Sequence, residues 1–431
     1  MFWFSEWRKL ALIVLVFFIS FFLPVGVPRF DASILEALYL VKEYARLHIV
    51  LCLIPAFFIA GAVGVFINKA TVMKYLGAKT NKVLAYSVAS VSGTILAVCS
   101  CTILPLFAGI YKMGAGLGVA SAFLYAGPAI NVLAIILTAR ILGAEMGIAR
   151  AFCAIFFSVV IGLAMAFIFR KEEKNREAKQ MMLTDVANKR NLWQSGFYFL
   201  AMIGILVFAN WGKPQMQEGV WASIYSLKWY ITSFFALVLS LILVLWFDFK
   251  VLKAGFLILT TAIVAYFFSF NPIIPFSYAV IVFSLFAERD KGEINDWLYQ
   301  TWSFAKQILP LLLLGVFIAG MLLGRNGHEG LIPTSWIIKI AGDNSLLSNL
   351  GASLVGAFMY FATLTEVPIL QGLMGNGMNK GPALALLLAG PAISLPSVLV
   401  VNQVLGFRKT ATFILLVVIM ATVSGFVFGN L

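Results

Sequence analysis

Long apolar runs without charged interruptions constrain this chain more than any other feature. A helix needs about 20 apolar residues to cross the hydrocarbon core of a bilayer. Only 11% of the residues are charged and 62% are hydrophobic, which excludes an ordinary soluble globular protein. The runs predict eleven spans, near residues 10–27, 47–67, 117–139, 150–169, 195–211, 229–246, 254–270, 273–287, 308–323, 382–404 and 411–429. The sequence therefore predicts an all-α, polytopic integral membrane protein, in which the amphipathic segment Ser33 to Arg46 is an interfacial helix.

Two further apolar stretches carry helix-breaking clusters and are predicted to be re-entrant hairpins or broken helices. They are Val83 to Tyr111, with its break at Cys99 to Pro105, and Leu346 to Met374, with its break at Thr363 to Pro368. If both are hairpins, 21 of the 31 Lys and Arg residues lie inside and 10 outside, as the positive-inside rule requires. Full crossings are the alternative, and they would move Lys112 and the basic 170–190 loop outside.

An internal repeat organises the chain. Shifting the sequence by 263 residues aligns Thr102 to Gly143 with Thr365 to Gly406 without a gap, and 15 of the 42 aligned positions are identical. In the hairpin topology the two copies enter the membrane from opposite sides. Inverted-topology repeats with broken helices are typical of secondary transporters, which bind substrate near the midplane.

Four regions follow from the repeat and from the charged residues between the spans. Residues 1–169 form an N-terminal membrane repeat, and 170–194 form a charged cytoplasmic loop. Residues 195–287 form a central transmembrane insert, and 288–431 an amphipathic linker followed by the C-terminal inverted repeat.

A Gly-Pro pair interrupts a predicted helix in each copy of the repeat. Pro128 and Pro391 lack an amide hydrogen, and Gly127 and Gly390 allow close backbone approach. The freed carbonyls, together with Asn131 in one copy and Ser394 in the other, offer ligands to an ion or a polar solute. The alternative is a purely structural kink.

Cys99 and Cys101 lie at the first break and could direct two thiolates to one soft centre, such as Cu(I), Zn(II) or trivalent arsenic. Buried cysteines are also common as small apolar packing residues, and this interpretation is preferred for Cys52 and Cys153. All four cysteines lie inside or beside apolar runs, so the sequence does not indicate a disulfide framework. His48 and His328 stand far apart and do not suggest a metal cluster.

Glu366 lies within an apolar stretch, away from any loop. An intramembrane carboxylate is costly and is treated as a functional group, here a carrier of a proton or cation. Its partner in the repeat is Ile103, so the symmetry of the two copies breaks at this position. The alternative is that Glu366 faces the outer water layer and caps a half-helix.

The run Cys99 to Gly118 (CSCTILPLFAGIYKMGAGLG), followed by Phe123 to Asn131 (FLYAGPAIN), resembles the predicted permease family of the ArsP and YraQ type. This resemblance covers roughly residues 95–140, and the second repeat at 360–406 agrees with it. It implies an inner-membrane permease, and some family members export trivalent organoarsenicals. Carried over to this chain, it implicates Cys99 and Cys101 in substrate binding, with Pro105, Gly127, Pro128 and Asn131 shaping the site. The central spans at 195–287 lie outside the resembling motifs.

These observations together predict a multi-pass permease of the cell inner membrane that exports a small thiophilic compound, such as a trivalent organoarsenical, with Glu366 coupling transport to protons. The predicted substrate-binding residues are Cys99, Cys101, Thr102, Pro105, Gly127, Pro128, Asn131, Thr365, Pro368, Gly390, Pro391 and Ser394. We expect membrane lipid and a small-molecule substrate as partners, no nucleic acid and no cofactor or resident metal, and a homo-oligomer stays open. A permease for an unrelated solute or anion, and a membrane-embedded thiol redox enzyme, are the alternatives to this non-enzymatic function.

Overall fold

The fold is almost entirely helical in the computed structural model. The structure describes residues 2–66, 81–96, 100–130, 132–181, 192–212, 219–325, 328–358, 366–375 and 377–431. A short antiparallel β-hairpin, β1 (Gly324–Arg325) with β2 (His328–Glu329), follows the longest helix of the C-terminal half.

The first part of the chain forms nine helices over the residues described. They are α1 (Phe2–Phe21), α2 (Pro28–Tyr44), α3 (Ile54–Phe66), α4 (Lys82–Leu96), α5 (Ser100–Lys112), α6 (Leu117–Ala129), α7 (Val132–Ile141), α8 (Ala144–Ile168) and α9 (Arg170–Met181). A π-helical stretch, Ala45–Leu53, joins α2 to α3.

The remainder continues with a central group and a C-terminal group of helices. The central group is α10 (Leu192–Ala209), α11 (Val220–Trp246), α12 (Val251–Phe267) and α13 (Ile273–Glu288). The C-terminal group is α14 (Glu293–Leu323), α15 (Thr334–Ala341), α16 (Leu346–Phe358), α17 (Glu366–Gly375), α18 (Lys380–Ile393), α19 (Leu395–Leu405) and α20 (Phe407–Gly429).

Several of these helices are long and apolar enough to cross a bilayer. Within the described ranges, five qualify on their own, or up to seven if each of two bent helix pairs is one span. The spans predicted at 195–211, 254–270 and 273–287 correspond to shorter apolar helices of 10–17 residues. The span predicted at 10–27 corresponds to the 20-residue helix α1, which is not among the helices that qualify. The chain is thus a multi-pass, all-α membrane protein, as the apolar runs predicted.

Two sequence-based boundaries differ from the structure. The predicted interfacial helix at 33–46 is instead the first part of a 39-residue helical run, Pro28–Phe66. Its Ser33 and Glu36 are buried because α2 packs against α14. Likewise, the amphipathic segment before residue 308 is continuous with the span after it, as the single helix α14.

The run Pro28–Phe66 and helix α14 pack antiparallel, and each contributes a glycine to the crossing. A Cβ atom on Gly61 would lie 2.8 Å from the backbone nitrogen of Thr301, and one on Gly320 would lie 2.9 Å from the Cα of Ala37. Side chains at either glycine would force the helices apart, and small residues are what let membrane helices approach this closely. Each glycine follows the same Phe-Ile-Ala sequence, at 58–60 and 317–319.

The repeated segments have the same order and spacing of helices. Helices α6, α7 and α8 begin at residues 117, 132 and 144, while α18, α19 and α20 begin at 380, 395 and 407, so each pair differs by 263 residues. The turn before α6 contains Gly114 and the turn before α18 contains Gly377, both with φ of +107°. In both turns the amide after the glycine donates to a carbonyl five residues back, over 3.0 Å. The sequence repeat is therefore matched in local backbone geometry.

Helices α6 and α18 form the centre of the protein. All residues of α6 are buried, and so are those of α18 from Gly381 to Ile393. Both are apolar on every side, which is the pattern of a fully enclosed helix. Helix α6 packs on α4 and α8, α18 packs on α16 and α20, and α6 and α18 contact each other. The two halves of the chain therefore meet along their most buried helices.

Candidate site at the ends of the broken helices

Arg150 is the most buried charged residue in the part of the chain that the structure describes. It lies two turns into α8 with no exposed surface. Its guanidinium donates three hydrogen bonds, to the Ala129 carbonyl (3.3 Å), the Thr138 hydroxyl (3.0 Å) and Glu366 Oε1 (2.5 Å). The three acceptors belong to α6, α7 and α17, so one side chain connects helices from both halves.

Glu366 completes this arrangement from the C-terminal half. It is the first residue of α17 and is 1% exposed. A carboxylate at a helix N-terminus is stabilised by the free amide groups and by the helix dipole. The Arg150–Glu366 ion pair joins residues 216 positions apart. A buried pair of this kind is stable only while both partners are present, because either charge alone is costly to bury.

The first helix break lies directly beside Arg150. Helix α6 ends at Ala129 and α7 begins at Val132, and the two axes differ by 44°. Carbonyls in the last turn of a helix have no partner within that helix. Arg150 supplies a donor to one of them, so the guanidinium both satisfies the helix end and holds α7 through Thr138.

The second helix break has a different polar group. Helices α18 and α19 meet at an angle of 46°, and Ser394 between them has an extended backbone (φ −54°, ψ 147°). Its hydroxyl lies 2.8 Å from that of Ser397, and both side chains are buried. A pair of hydroxyls with an interrupted helix offers oxygen ligands and hydrogen-bond donors without a net charge.

The predicted Gly-Pro positions lie in the last helical turn before each bend. Gly127 and Pro128 are in α6, and Gly390 and Pro391 are in α18, and all four are buried. Gly127 packs against Ile103 of α5, which brings the first predicted hairpin against the first bend.

The prolines predicted to interrupt the two hairpins lie inside helices instead. Pro105 is within α5, which begins at Ser100, and Pro368 is in the first turn of α17. Both helices therefore begin before their prolines. A proline in the first turn of a helix leaves no amide unsatisfied, which fits Pro368.

The thiol segment is described in part. Cys99, Asn131 and Thr365 lie outside the described residues, and Cys101 is in the first turn of α5. Thr102 is buried, with its hydroxyl 2.9 Å from the Cys52 sulfur. Cys52, which the sequence assigned to packing, thus lies next to the residue that follows Cys101.

A second charged cluster lies at the predicted cytoplasmic end. Glu173 of α9, with 7% of its side chain exposed, pairs with Lys409 of α20 (3.1 Å) and accepts from the Leu117 amide (3.1 Å) and the Tyr111 hydroxyl (3.2 Å). Arg176 lies 3.4 Å from the same carboxylate and 3.7 Å from the Tyr111 ring. We call these residues the Glu173 cluster. It fixes the charged segment after α8 to the turn between α5 and α6 and to the start of α20.

A metal centre is not formed by the described residues, among which His, Cys, Asp and Glu make no group of three or more. His48 lies against the Tyr44 ring, with centroids 5.4 Å apart, and His328 lies 3.6 Å from Glu36. The two histidines therefore have separate surroundings.

The protein has many apolar helices, two bent helix pairs, and a buried ion pair where helix ends from both halves meet. These features define a polytopic membrane protein built around a central polar site. Comparison with known sequences identifies its family. The chain belongs to the ArsP_1 family, described as a predicted permease, whose sequence model matches residues 34–430. This confirms the resemblance drawn from the motifs, and the match includes the central spans, which those motifs did not reach. A permease family favours a transporter over an enzyme.

Two relatives of the chain are both designated UPF0718 proteins. The chain is 40% identical over 391 residues to the UPF0718 protein MJ0584 of Methanocaldococcus jannaschii, covering 90% of this chain and 93% of that protein. It is 31% identical over 144 residues to the UPF0718 protein YraQ of Escherichia coli K12, covering 33% of this chain and 38% of that protein. No solved structure matches the chain.

Arg150 is the site residue that sequence reasoning missed. It was counted among the outer basic residues, because the span after it was predicted to begin at residue 150. The helix in fact begins at Ala144, which carries the guanidinium into the protein. The repeat contained a signal: the partner of Arg150 at a shift of 263 residues is the buried Phe413, just as the partner of Glu366 is the buried Ile103.

Proposed function

We propose that the chain is a secondary transporter of the cell inner membrane with two inverted-topology repeats, and that the Arg150–Glu366 ion pair closes its central pathway. The buried pair between helix ends of the two halves is the observation that carries this proposal. Ionisable groups at membrane depth are expensive and are characteristic of transport pathways. Transporters of inverted-repeat architecture bind substrate where broken helices meet.

Protonation of Glu366 would open the pathway. A neutral carboxylic acid no longer holds the guanidinium by charge, whereas arginine keeps its proton under all physiological conditions. The proton therefore resides on Glu366 alone, and Arg150 stays bonded to Ala129 and Thr138 within the N-terminal half. Helix α17 would then be free to separate from α7, which changes the side from which the site is open. Loss of the proton on the other side would restore the pair, so that transport is coupled to proton movement.

We propose a small thiophilic compound, such as a trivalent organoarsenical, as the exported substrate. Cys99 and Cys101 would bind it, one thiol for each of the two hydroxides of a methylarsenical, while Cys52 would stay a thiol beside Thr102. Each arsenic–sulfur bond would form as the thiol loses its proton and arsenic loses a hydroxide, together releasing one water, without oxidation or reduction. Release on the other side is the reverse reaction.

An anionic solute is a second candidate, favoured by the complete burial of the Arg150 guanidinium. An anion could replace the Glu366 carboxylate as its partner, since guanidinium groups bind carboxylate and phosphate oxygens in the same geometry. In that case the cysteines would be incidental. Thermal-shift measurements with phosphate, arsenate and acetate would test it, with Arg150→Met/Glu366→Leu as the control that lacks both charges.

The transport experiment uses everted membrane vesicles that contain the chain, an imposed proton gradient and trivalent methylarsenite. We expect uptake by the wild type, loss of uptake with Cys99→Ser/Cys101→Ser, and unchanged uptake with Cys153→Ser, which alters a half-buried thiol of α8. Glu366→Gln should abolish the dependence of uptake on the gradient. Uptake no greater than in empty-vector vesicles, from protein that elutes as a folded species, would exclude the organoarsenical.

A further inference from the structure

The central helices border a half-open cavity that the central site does not use. Its volume is about 540 Å³, and its walls come from α10, α11, α12 and α13 on one side and from α3 and α14 on the other. Cavities of roughly 300–1,000 Å³ accommodate small organic ligands. The cavity is far larger than a packing defect and has room for a bound molecule.

The walls of this cavity suit an uncharged part of a ligand. No Asp, Glu, Lys or Arg is found among the described residues that line it. Aromatic rings supply much of the surface, from Phe58, Trp229, Phe268, Phe276, Phe283 and Trp297. An aliphatic chain fits such walls, whereas a charged solute would lose its hydration without compensation.

One end of the cavity is more polar than the other. Ser226 and Tyr230 lie near the start of α11, and Ser269 lies just after α12, so the three hydroxyls are at the same end of these helices. Leu239, Leu243 and Leu257 line the opposite end, together with the hydroxyl of Ser240. The hydroxyls of Thr232, Ser233 and Thr261 lie between the two ends. A ligand with one polar and one apolar end would therefore have a defined orientation.

A lysine lies beside the polar end. Lys228 Nζ is 4.5 Å from the centre of the Tyr225 ring and 5.3 Å from that of Trp229, which lines the cavity. It is 3.4 Å from the Trp211 carbonyl oxygen, and none of the ion pairs between described residues includes it. Tryptophan and tyrosine are enriched at the level of the lipid headgroups. Trp211, Tyr225 and Trp229 around this lysine therefore mark the membrane interface.

We infer that this cavity binds an anionic phospholipid, with one acyl chain between α11, α12 and α13 and its phosphate at Lys228. The bilayer supplies such a molecule at this depth, and the walls are open between helices whose outer faces are exposed. The apolar depth fits the chain, the hydroxyls fit the glycerol ester region, and the ammonium group complements the phosphate charge. This site is independent of the proposed transport mechanism.

Native mass spectrometry of the purified full chain, titrated with phosphatidylglycerol or phosphatidylcholine, tests the inference. Ala236→Trp fills the cavity from α11, and Leu241→Trp places the same side chain at an exposed position of that helix. We expect the wild type and Leu241→Trp to retain one phosphatidylglycerol, and Ala236→Trp to lose it. Lys228→Gln should reduce the preference for phosphatidylglycerol over phosphatidylcholine by about fivefold, the usual effect of one lysine on an anionic lipid.

Several outcomes would overturn the inference. Retention by Ala236→Trp equal to that of the wild type would place the lipid elsewhere. An unchanged headgroup preference in Lys228→Gln would remove the phosphate contact. If Ala236→Trp does not elute as folded protein, Ala279→Trp fills the same cavity from α13 and gives the deciding result.

Discussion

Arg150 and Glu366 form an ion pair of 2.5 Å with 0% and 1% of their side chains exposed, between a helix of the N-terminal half and the first residue of a helix in the C-terminal half. Each is the charged member of a repeat pair whose other member is a buried apolar residue. The two departures from the repeat are therefore parts of one interaction. The halves therefore contribute different groups to the pair, one a guanidinium and the other a carboxylate.

Arg150→Met should destabilise the protein by about 3–5 kcal/mol, because it leaves the Glu366 carboxylate buried without a partner. Glu366→Leu should have a similar effect. The double variant should recover most of the loss, since two apolar side chains can replace a buried pair at little cost. Thermal unfolding in detergent micelles measures all three. A double variant as unstable as the sum of the single changes would mean that the two residues do not interact.

Thr138→Val should lower the free energy of unfolding by about 1.5–3 kcal/mol. Valine has nearly the same size as threonine but lacks the hydroxyl that accepts a hydrogen bond from the buried guanidinium. The Thr138 hydroxyl accepts from Arg150 and donates to the Ala134 carbonyl at 2.6 Å. Thr138→Ser keeps both bonds and should restore most of the stability. Equal melting temperatures for the valine and serine variants would contradict the bonding described here.

Glu173→Gln should weaken the attachment of α9, because Lys409 and Arg176 lose their shared anion. A cost of about 1–3 kcal/mol is expected for a buried charged acceptor. Hydrogen exchange of the α9 amides should become faster, and the melting temperature should fall.

Glu172 provides the matched control for this change. Its side chain is 56% exposed and lies 3.6 Å from the same Lys409. Exposed ion pairs contribute little, so Glu172→Gln should change the stability by less than about 1 kcal/mol. Equal effects of the two substitutions would show that the Glu173 cluster does not hold α9 in place.

Gly61→Ala should destabilise the crossing of the run Pro28–Phe66 with α14 by about 1–3 kcal/mol, because the added methyl group meets the Thr301 backbone. Gly64 lies one turn further along the same helix, where a Cβ atom would meet nothing within 4 Å. Alanine is the better helix former, so Gly64→Ala should leave the stability unchanged or raise it by up to about 1 kcal/mol. Thermal unfolding compares the two, and a loss of stability in both would rule out the close approach as the cause.

The repeat shows what sequence reasoning can recover. An ungapped match with retained prolines and glycines identified the two copies, and in the structure α6 to α8 and α18 to α20 begin 263 residues apart. Glu366 lies within an apolar run of the sequence and is 1% exposed in the structure. Its functional role stays a prediction, made because a carboxylate within such a run has no inexpensive location. The same reasoning failed for Arg150, because a basic residue near the start of a run is equally compatible with a loop.

By itself, the sequence determined that this chain is a multi-pass helical membrane protein of the permease family. Those conclusions depend on hydrophobic length, on composition and on local motifs, which are properties of neighbouring residues. Only the tertiary structure decided that Glu366 is paired, that Arg150 is its partner, and that Cys52 lies beside Thr102. These contacts join residues 50 to 216 positions apart. Helix packing sets such distances through the summed shapes of many apolar side chains, and no short stretch of sequence contains that information.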